Sequence, residues 1–199
     1  MNKRLVLITV LMTLLPFANT AYAQDSPGFV VEKYLKSVRA GDYERAYTYI
    51  SRTDSTIIEW LELIKFIRRE APEPIVALID MAHSMSRQQI TKTTIDGNTA
   101  TIEVDSIVPN MKEALRLVGS AGAAKAMFEY GVPPMRVRHG ISELAIEDGE
   151  WKITCVRGVS AGQAAQLATE LAKKILGKVE AARLAQQIKD FQKGRKEKT

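Results

Sequence analysis

Three arginines in the second half of the chain have spacings that let them act together. Arg136 and Arg138 alternate with Val137 and His139, so on a strand both guanidinium groups leave by one face. Arg157 closes the strand that begins at Glu150, and a regular hairpin register places it opposite Gly140, beside Arg138. Guanidinium forks hold carboxylate or phosphate groups through paired N–H donors. The trio is therefore a candidate anion clamp, with no acid in the sequence obviously set against it. Met111, Met127, Phe128 and Met135 lie between the hairpins or at their edge and would cover an acyl or aromatic tail, since methionine adapts to irregular apolar shapes. Trp151, on the apolar face of the same hairpin, joins the candidate ligand set. The competing arrangement is a bulge at Gly140, which would turn Arg136 and Arg138 to solvent and His139 inward.

Other reactive residue types form no comparable group. Cys155 is the only cysteine; regular pairing puts it opposite Ser142 on the face of Trp151 and Ile153, the setting of a buried, inert thiol. His83 and His139 are the only histidines, and neither has metal-spaced cysteines, histidines or carboxylates around it. There is no glycine-rich phosphate loop and no serine nucleophile elbow. Neither a metal nor a cofactor is expected, and the chain reads as a binding protein rather than an enzyme.

The elements that position the arginines follow from periodicity. Val31, Leu35 and Val38 recur at helical spacing, predicting a helix over 27–40. Gly41 can take the left-handed conformation that ends it, and Asp42 can cap a short second helix carrying Tyr43, Ala46 and Tyr47. The break turns a corner. A third helix starts at Asp54 or Ser55 with the stripe Ile57, Trp60, Leu61, Ile64 and Ile67, and stops before Pro72 and Pro74; 75–85 is a shorter fourth. From Ser86 the period changes to two. Gln88 to Ile95 and Asn98 to Val108 flank Asp96-Gly97, while Met135 to Glu147 and Glu150 to Arg157 flank Asp148-Gly149. Both read as hairpins with two-residue turns. In the second, Ile146 faces Trp151, Leu144 faces Ile153, Ala145 faces Lys152 and Glu143 faces Thr154. The insert over 109–134 is open between helix, lid and packing segment. Residues 160–193 form an Ala-rich helical stretch that Gly177 can divide, and 194–199 a basic tail expected to be disordered.

The ends and the composition set the address. Lys3 and Arg4 precede an apolar run from Leu5 to Leu15, and Ala21-Tyr22-Ala23 presents small residues to a signal peptidase. The run is shorter than the roughly 20 residues that span a bilayer. A leader cleaved after Ala23 is expected, giving a periplasmic or secreted protein. No cysteine follows the site to take a lipid anchor. The rest, 24–159 with the C-terminal helix, suits one domain. A net charge of +5, which loses two with the leader, is too small for a nucleic-acid binder. The lysines of the C-terminal helix allow contact with anionic lipid, but its Ala-rich stripe favours packing on its own domain or on a second copy as a homodimer.

Helices first, the corner "RAGDYERAYTYIS", then antiparallel strands closing in "GEWKITCV" resemble the nuclear transport factor 2-like superfamily, in particular its small exported bacterial members of unknown function. Residues 26–157 carry the resemblance. It implies an α+β cone, with N-terminal helices packed on the concave face of a curved antiparallel sheet; the 109–134 insert and the long C-terminal helix after Ser160 depart from that minimal pattern. Such cones serve as enzymes, carriers and interaction modules. In the isomerase branch a Tyr hydroxyl and a carboxylic acid stabilise an enolate, a role open to Tyr34, Tyr43 or Tyr47. The registers turn Glu143, Glu147 and Glu150 away from the interior, and only other registers would admit Glu103 or Asp105. Packing is the favoured role for the tyrosines, with Tyr34 and Tyr47 completing the candidate ligand site. The expected function is to hold a small apolar or amphipathic anionic ligand. The rivals are a ligand-free adaptor for an envelope protein and, third, an isomerase-like enzyme.

Overall fold

The computed structural model describes residues 25–53, 55–118, 126–127, 130–131, 133–158 and 160–197. The segment expected to be a leader cleaved after Ala23, and Phe128, lie outside the described residues. Helix α1 (Pro27–Ala40) begins where Ser26 Oγ accepts the Phe29 N–H at 3.3 Å and Pro27 supplies a preset φ. Gly41 ends it at φ 73°, and the next N–H, of Asp42, returns to the Ser37 carbonyl at 2.9 Å. The Asp42 carboxylate then caps α2 (Tyr43–Tyr47) by accepting from Arg45 N–H at 3.1 Å. Helices α3 (Ser55–Glu70) and α4 (Glu73–Met85) follow, separated at Ala71 and Pro72.

Four antiparallel strands form a simple meander: β1 (Arg87–Asp96), β2 (Thr99–Pro109), β3 (Met135–Glu147) and β4 (Glu150–Arg157). The first hairpin turns one residue later than expected. Asp96 pairs with Thr99, so Gly97-Asn98 is the loop, with Gly97 at φ 56°. The second turn lies at Asp148-Gly149, both at positive φ, as the turn that matches strand twist requires. Each edge strand carries a bulge. In β1 the extra residue is Thr91, whose hydroxyl donates to the Glu103 carbonyl at 3.2 Å. In β4 it is Thr154, whose hydroxyl donates to the Glu143 carbonyl at 3.2 Å. The free edge of β4 is capped by one bridge from the chain after α2: Ser51 N–H donates to the Ile153 carbonyl, and Ile153 N–H donates to that of Tyr49.

One sheet face is covered. Val31 and Tyr34 of α1, Ala46 of α2, and Ile57 and Leu61 of α3 bury against Ile102, Leu144, Trp151 and Ile153. Helix α3 has a second apolar side, Leu63 and Ile67, which enters a separate all-helical core. That core is built with α4, α5 (Met111–Val118), α6 (Ala161–Ile175) and α7 (Lys178–Lys196). The C-terminal stretch breaks at Leu176 and Gly177, and α7 packs back on α6 and α3 through Ala181, Leu184 and Ile188. It also runs to Lys196, into the segment expected to be a disordered tail. Within the insert, Met111 and Ala114 of α5 are buried, so this part packs rather than acting as a lid. No helix among the described residues is long and apolar enough to cross a membrane.

Candidate functional site

The bulge at Thr154 takes the expected clamp apart. Beyond it, Cys155 pairs with Glu143, Val156 with Ser142 and Arg157 with Ile141, each one place from the regular register. Cys155 therefore leaves the face of Trp151 and Ile153, and Val156 takes its place against the sheet core. Arg157 is carried to the outer face, where its Nε donates to Glu143 Oε1 at 2.8 Å and its Nη2 to the same oxygen. Two more pairs share that outer face: His139 Nδ1 with Asp105 at 2.6 Å, and Lys92 with Glu103 at 3.2 Å.

Arg136 and Arg138 remain together. The β2–β3 register runs unbroken from Thr99↔Ala145 to Pro109↔Met135, so there is no bulge at Gly140. Both arginines keep the parity of buried Ser142 and Leu144, on the helix-covered side, and His139 points outward. They are exposed because they lie at the far end of the sheet, opposite the two hairpin turns. Residues two apart on one strand are about 6.6 Å apart, close enough for both forks to hold one carboxylate or phosphate. Partial burial, and then the neighbouring Arg138 guanidinium, push the Arg136 guanidinium below the ordinary arginine range. No carboxylate among the described residues opposes that shift.

The same end contains groups that sequence reasoning did not join to the arginines. Gln88, Ser106 and Arg138 form one row across β1, β2 and β3 on the covered side. Arg39, from the last turn of α1, donates through Nη2 to Gln88 Oε1 at 2.7 Å. Behind it, Arg68 of α3 donates to Asp80 Oδ1 of α4 at 2.5 Å and to the Tyr43 hydroxyl at 3.4 Å. His83, one turn beyond Asp80 on α4, is half-buried, and its Nδ1 is enclosed without a hydrogen-bond partner among the described residues. Desolvation, then Arg68 and Arg39, lower its proton affinity, and Asp80 opposes them. The end is thus basic, with Arg39, Arg68, Arg136 and Arg138, and Asp80 is the acid paired within it among the described residues.

The remaining ligand candidates lie elsewhere. Tyr34 and Trp151 are 3% and 8% exposed and fill the sheet core, so the interior next to them is packed. Met127 packs against the helical core. The Tyr47 hydroxyl donates to Glu62 Oε1 of α3, and burial together with that carboxylate raises its pKa. It is a part-buried acid–Tyr pair, with the phenol's proton already donated to that carboxylate. A cleft of about 120 Å³ lies between α3 and α7, lined by Glu59, Leu63, Phe191 and Arg195 among others. No group of histidine, cysteine and carboxylates that could hold a metal is present among the described residues.

No family model matches the sequence, and no curated protein matches it. Among solved structures the chain is similar to a SEC-C motif-containing protein from Rhodopseudomonas palustris, at 12% identity and a TM-score of 0.38, over 68% of this chain and 80% of that one. It is also similar to an NTF-2-like protein of unknown function from Shewanella oneidensis MR-1, at 8% identity and a TM-score of 0.40, over 64% and 90%. At such scores no residue role passes from one chain to the other.

Proposed function

We propose that this chain is an exported, non-enzymatic binding protein of the bacterial cell envelope that holds an amphipathic anionic ligand at the far end of its sheet. The observation that carries this is the side-by-side placement of Arg136 and Arg138 on the covered face, with no carboxylate against them among the described residues. Two adjacent cations without a counter-charge repel each other, and an anion relieves that repulsion. The packed interior around Tyr34 and Trp151 makes the ligand a guest of the rim rather than of a deep pocket. Guanidinium groups stay protonated at physiological pH, so they anchor charge without moving protons. The basic start, apolar run and Ala21-Tyr22-Ala23 support export.

The test is native mass spectrometry of the mature protein purified gently from its own envelope fraction. A reproducible added mass, released on denaturation and absent from an Arg136→Ala, Arg138→Ala double variant, is the expected result. A ligand retained by that variant sinks the assignment. The adaptor reading has its own observation: Ile107 and Val137 face each other, exposed, on the outer side, and exposed Met135 follows on β3. A clean apo mass, with an envelope protein cross-linked to the wild type and lost on Val137→Asp, would favour it.

A further inference from the structure

We propose that His83 is the proton switch of this basic end: an anion held by its arginines draws a proton onto the imidazole, so capture tightens in mildly acidic surroundings. This rests on the anion-binding reading above and adds its regulation. The geometry is that of a titratable ring held between opposing charges. Asp80 lies one turn earlier on its own helix and is paired with Arg68 of α3, which also reaches Tyr43. Arg39 of α1, bonded to Gln88 just beyond that helix, acts on the ring through its charge. Strand β2, which also packs on α4, presents neutral Val104, Ser106 and Val108 on that side, and α6, packed on α4 as well, shares the helical core with it through apolar Ala168, Leu171 and Ala172.

Nδ1 is enclosed without a hydrogen-bond partner among the described residues, so a proton on the ring is left to the surrounding charges and not to a bonded acceptor. Burial first, and then the charges of Arg68 and Arg39, keep the proton off the ring, against one acid among the described residues, Asp80. An incoming anion changes that balance without touching the ring. Arg39 connects the two halves of the site, since its guanidinium acts on His83 and is bonded to Gln88, which shares a row with Ser106 and Arg138. Negative charge placed along that row lowers the field of both arginines at His83. The proton comes from solvent, and reciprocity requires that what binds the proton more tightly also binds the anion more tightly.

The chain carries its own control. His139, the only other histidine, lies on the outer face against Asp105, across the sheet from the site. Both rings would be followed by NMR through a pH titration, without additive, with inorganic phosphate and with monomeric dodecyl phosphate. The two probes separate a free anion from an amphiphile's head group. The expected result is an upward movement of the His83 titration with at least one probe while His139 stays put. Affinity should rise about tenfold for each unit of that movement, and His83→Gln should remove the pH dependence while leaving neutral-pH binding intact. Resonances of Arg136 and Arg138 that respond to a probe while His83 titrates unchanged would overturn the switch and leave the binding site standing. If neither probe disturbs those arginines or His83, both readings fall.

Discussion

Replacing Leu184 with alanine tests whether the C-terminal hairpin of α6 and α7 is part of the folded core. Leu184 is 1% exposed, and it shares the helical core with Leu63, Ile67 and Leu171 from α3 and α6. The substitution removes three carbon atoms from water-free surroundings, at about 0.8 kcal/mol for each buried methylene. A residual cavity adds to that, and such changes cost about 2–5 kcal/mol in well-packed sites; about 3 kcal/mol is expected here. For a chain of this size each kcal/mol moves the melting midpoint by about 2–4 °C, so a fall of roughly 6–12 °C should appear by circular dichroism. Val179, on the same helix, is 83% exposed. Its alanine variant should stay within about 0.5 kcal/mol of the wild type. Equal midpoints for the two variants would refute the docking of α7 and return the helix to the role of a lipid or partner element.

Three further outcomes follow from particular contacts. Tyr47→Phe deletes the donor to half-buried Glu62 and should cost about 1 kcal/mol in urea denaturation; an unchanged midpoint would mean that water replaces the phenol freely. Gly41→Ala strains a φ of 73° and sets its Cβ 2.8 Å from Arg68 Nη1. A loss of about 1 kcal/mol or more is expected, and a neutral result would place the end of α1 elsewhere. Stability should also decline on mild acidification. The folded chain holds the His83 proton less tightly than the ordinary 6.5, so the unfolded chain binds more protons below that pH. Folding free energy is then full above about pH 6.5 and is lost as pH falls toward the depressed folded value. His83→Gln should flatten that limb, and a wild type equally stable across the window would contradict the burial of the ring.

The α+β order and the corner at Gly41-Asp42 were legible because each rests on local chemistry: a left-handed glycine, a capping carboxylate and a change of period from 3.6 to two. The second hairpin was legible up to Ile153 for the same reason, its turn requiring Asp148-Gly149 at positive φ. Beyond Ile153 the reading failed, since nothing in "ITCVR" marks Thr154 as the residue that drops out of the ladder. That single omission moved Arg157 into a clamp it does not join. In the first hairpin, an Asp96-Gly97 loop sets Gln88 opposite Asp105, whereas the observed loop and bulge set it opposite Ser106. The inner row was hidden by that difference. Helix α3 misled in another way: Ile57, Leu61 and Ile67 look like one stripe, yet they serve two cores. Arg39, Arg68 and His83 come together only through tertiary packing of α1, α3 and α4, which no spacing along the chain encodes.

The two threonine bulges have a consequence for how this sheet can change over time. In a regular ladder, adding one residue to a strand turns every side chain beyond it to the opposite face. At Thr91 and Thr154 the added residue is set aside, held by its hydroxyl to a glutamate carbonyl on the neighbouring central strand. Everything beyond it stays on its original side, so Arg157 meets Glu143 whether or not position 154 is occupied. These are the points at which an insertion or deletion of one residue is silent for both faces. An alignment that forces a gap anywhere else along β1 or β4 would invert the charge pattern of a strand while leaving its sequence almost untouched.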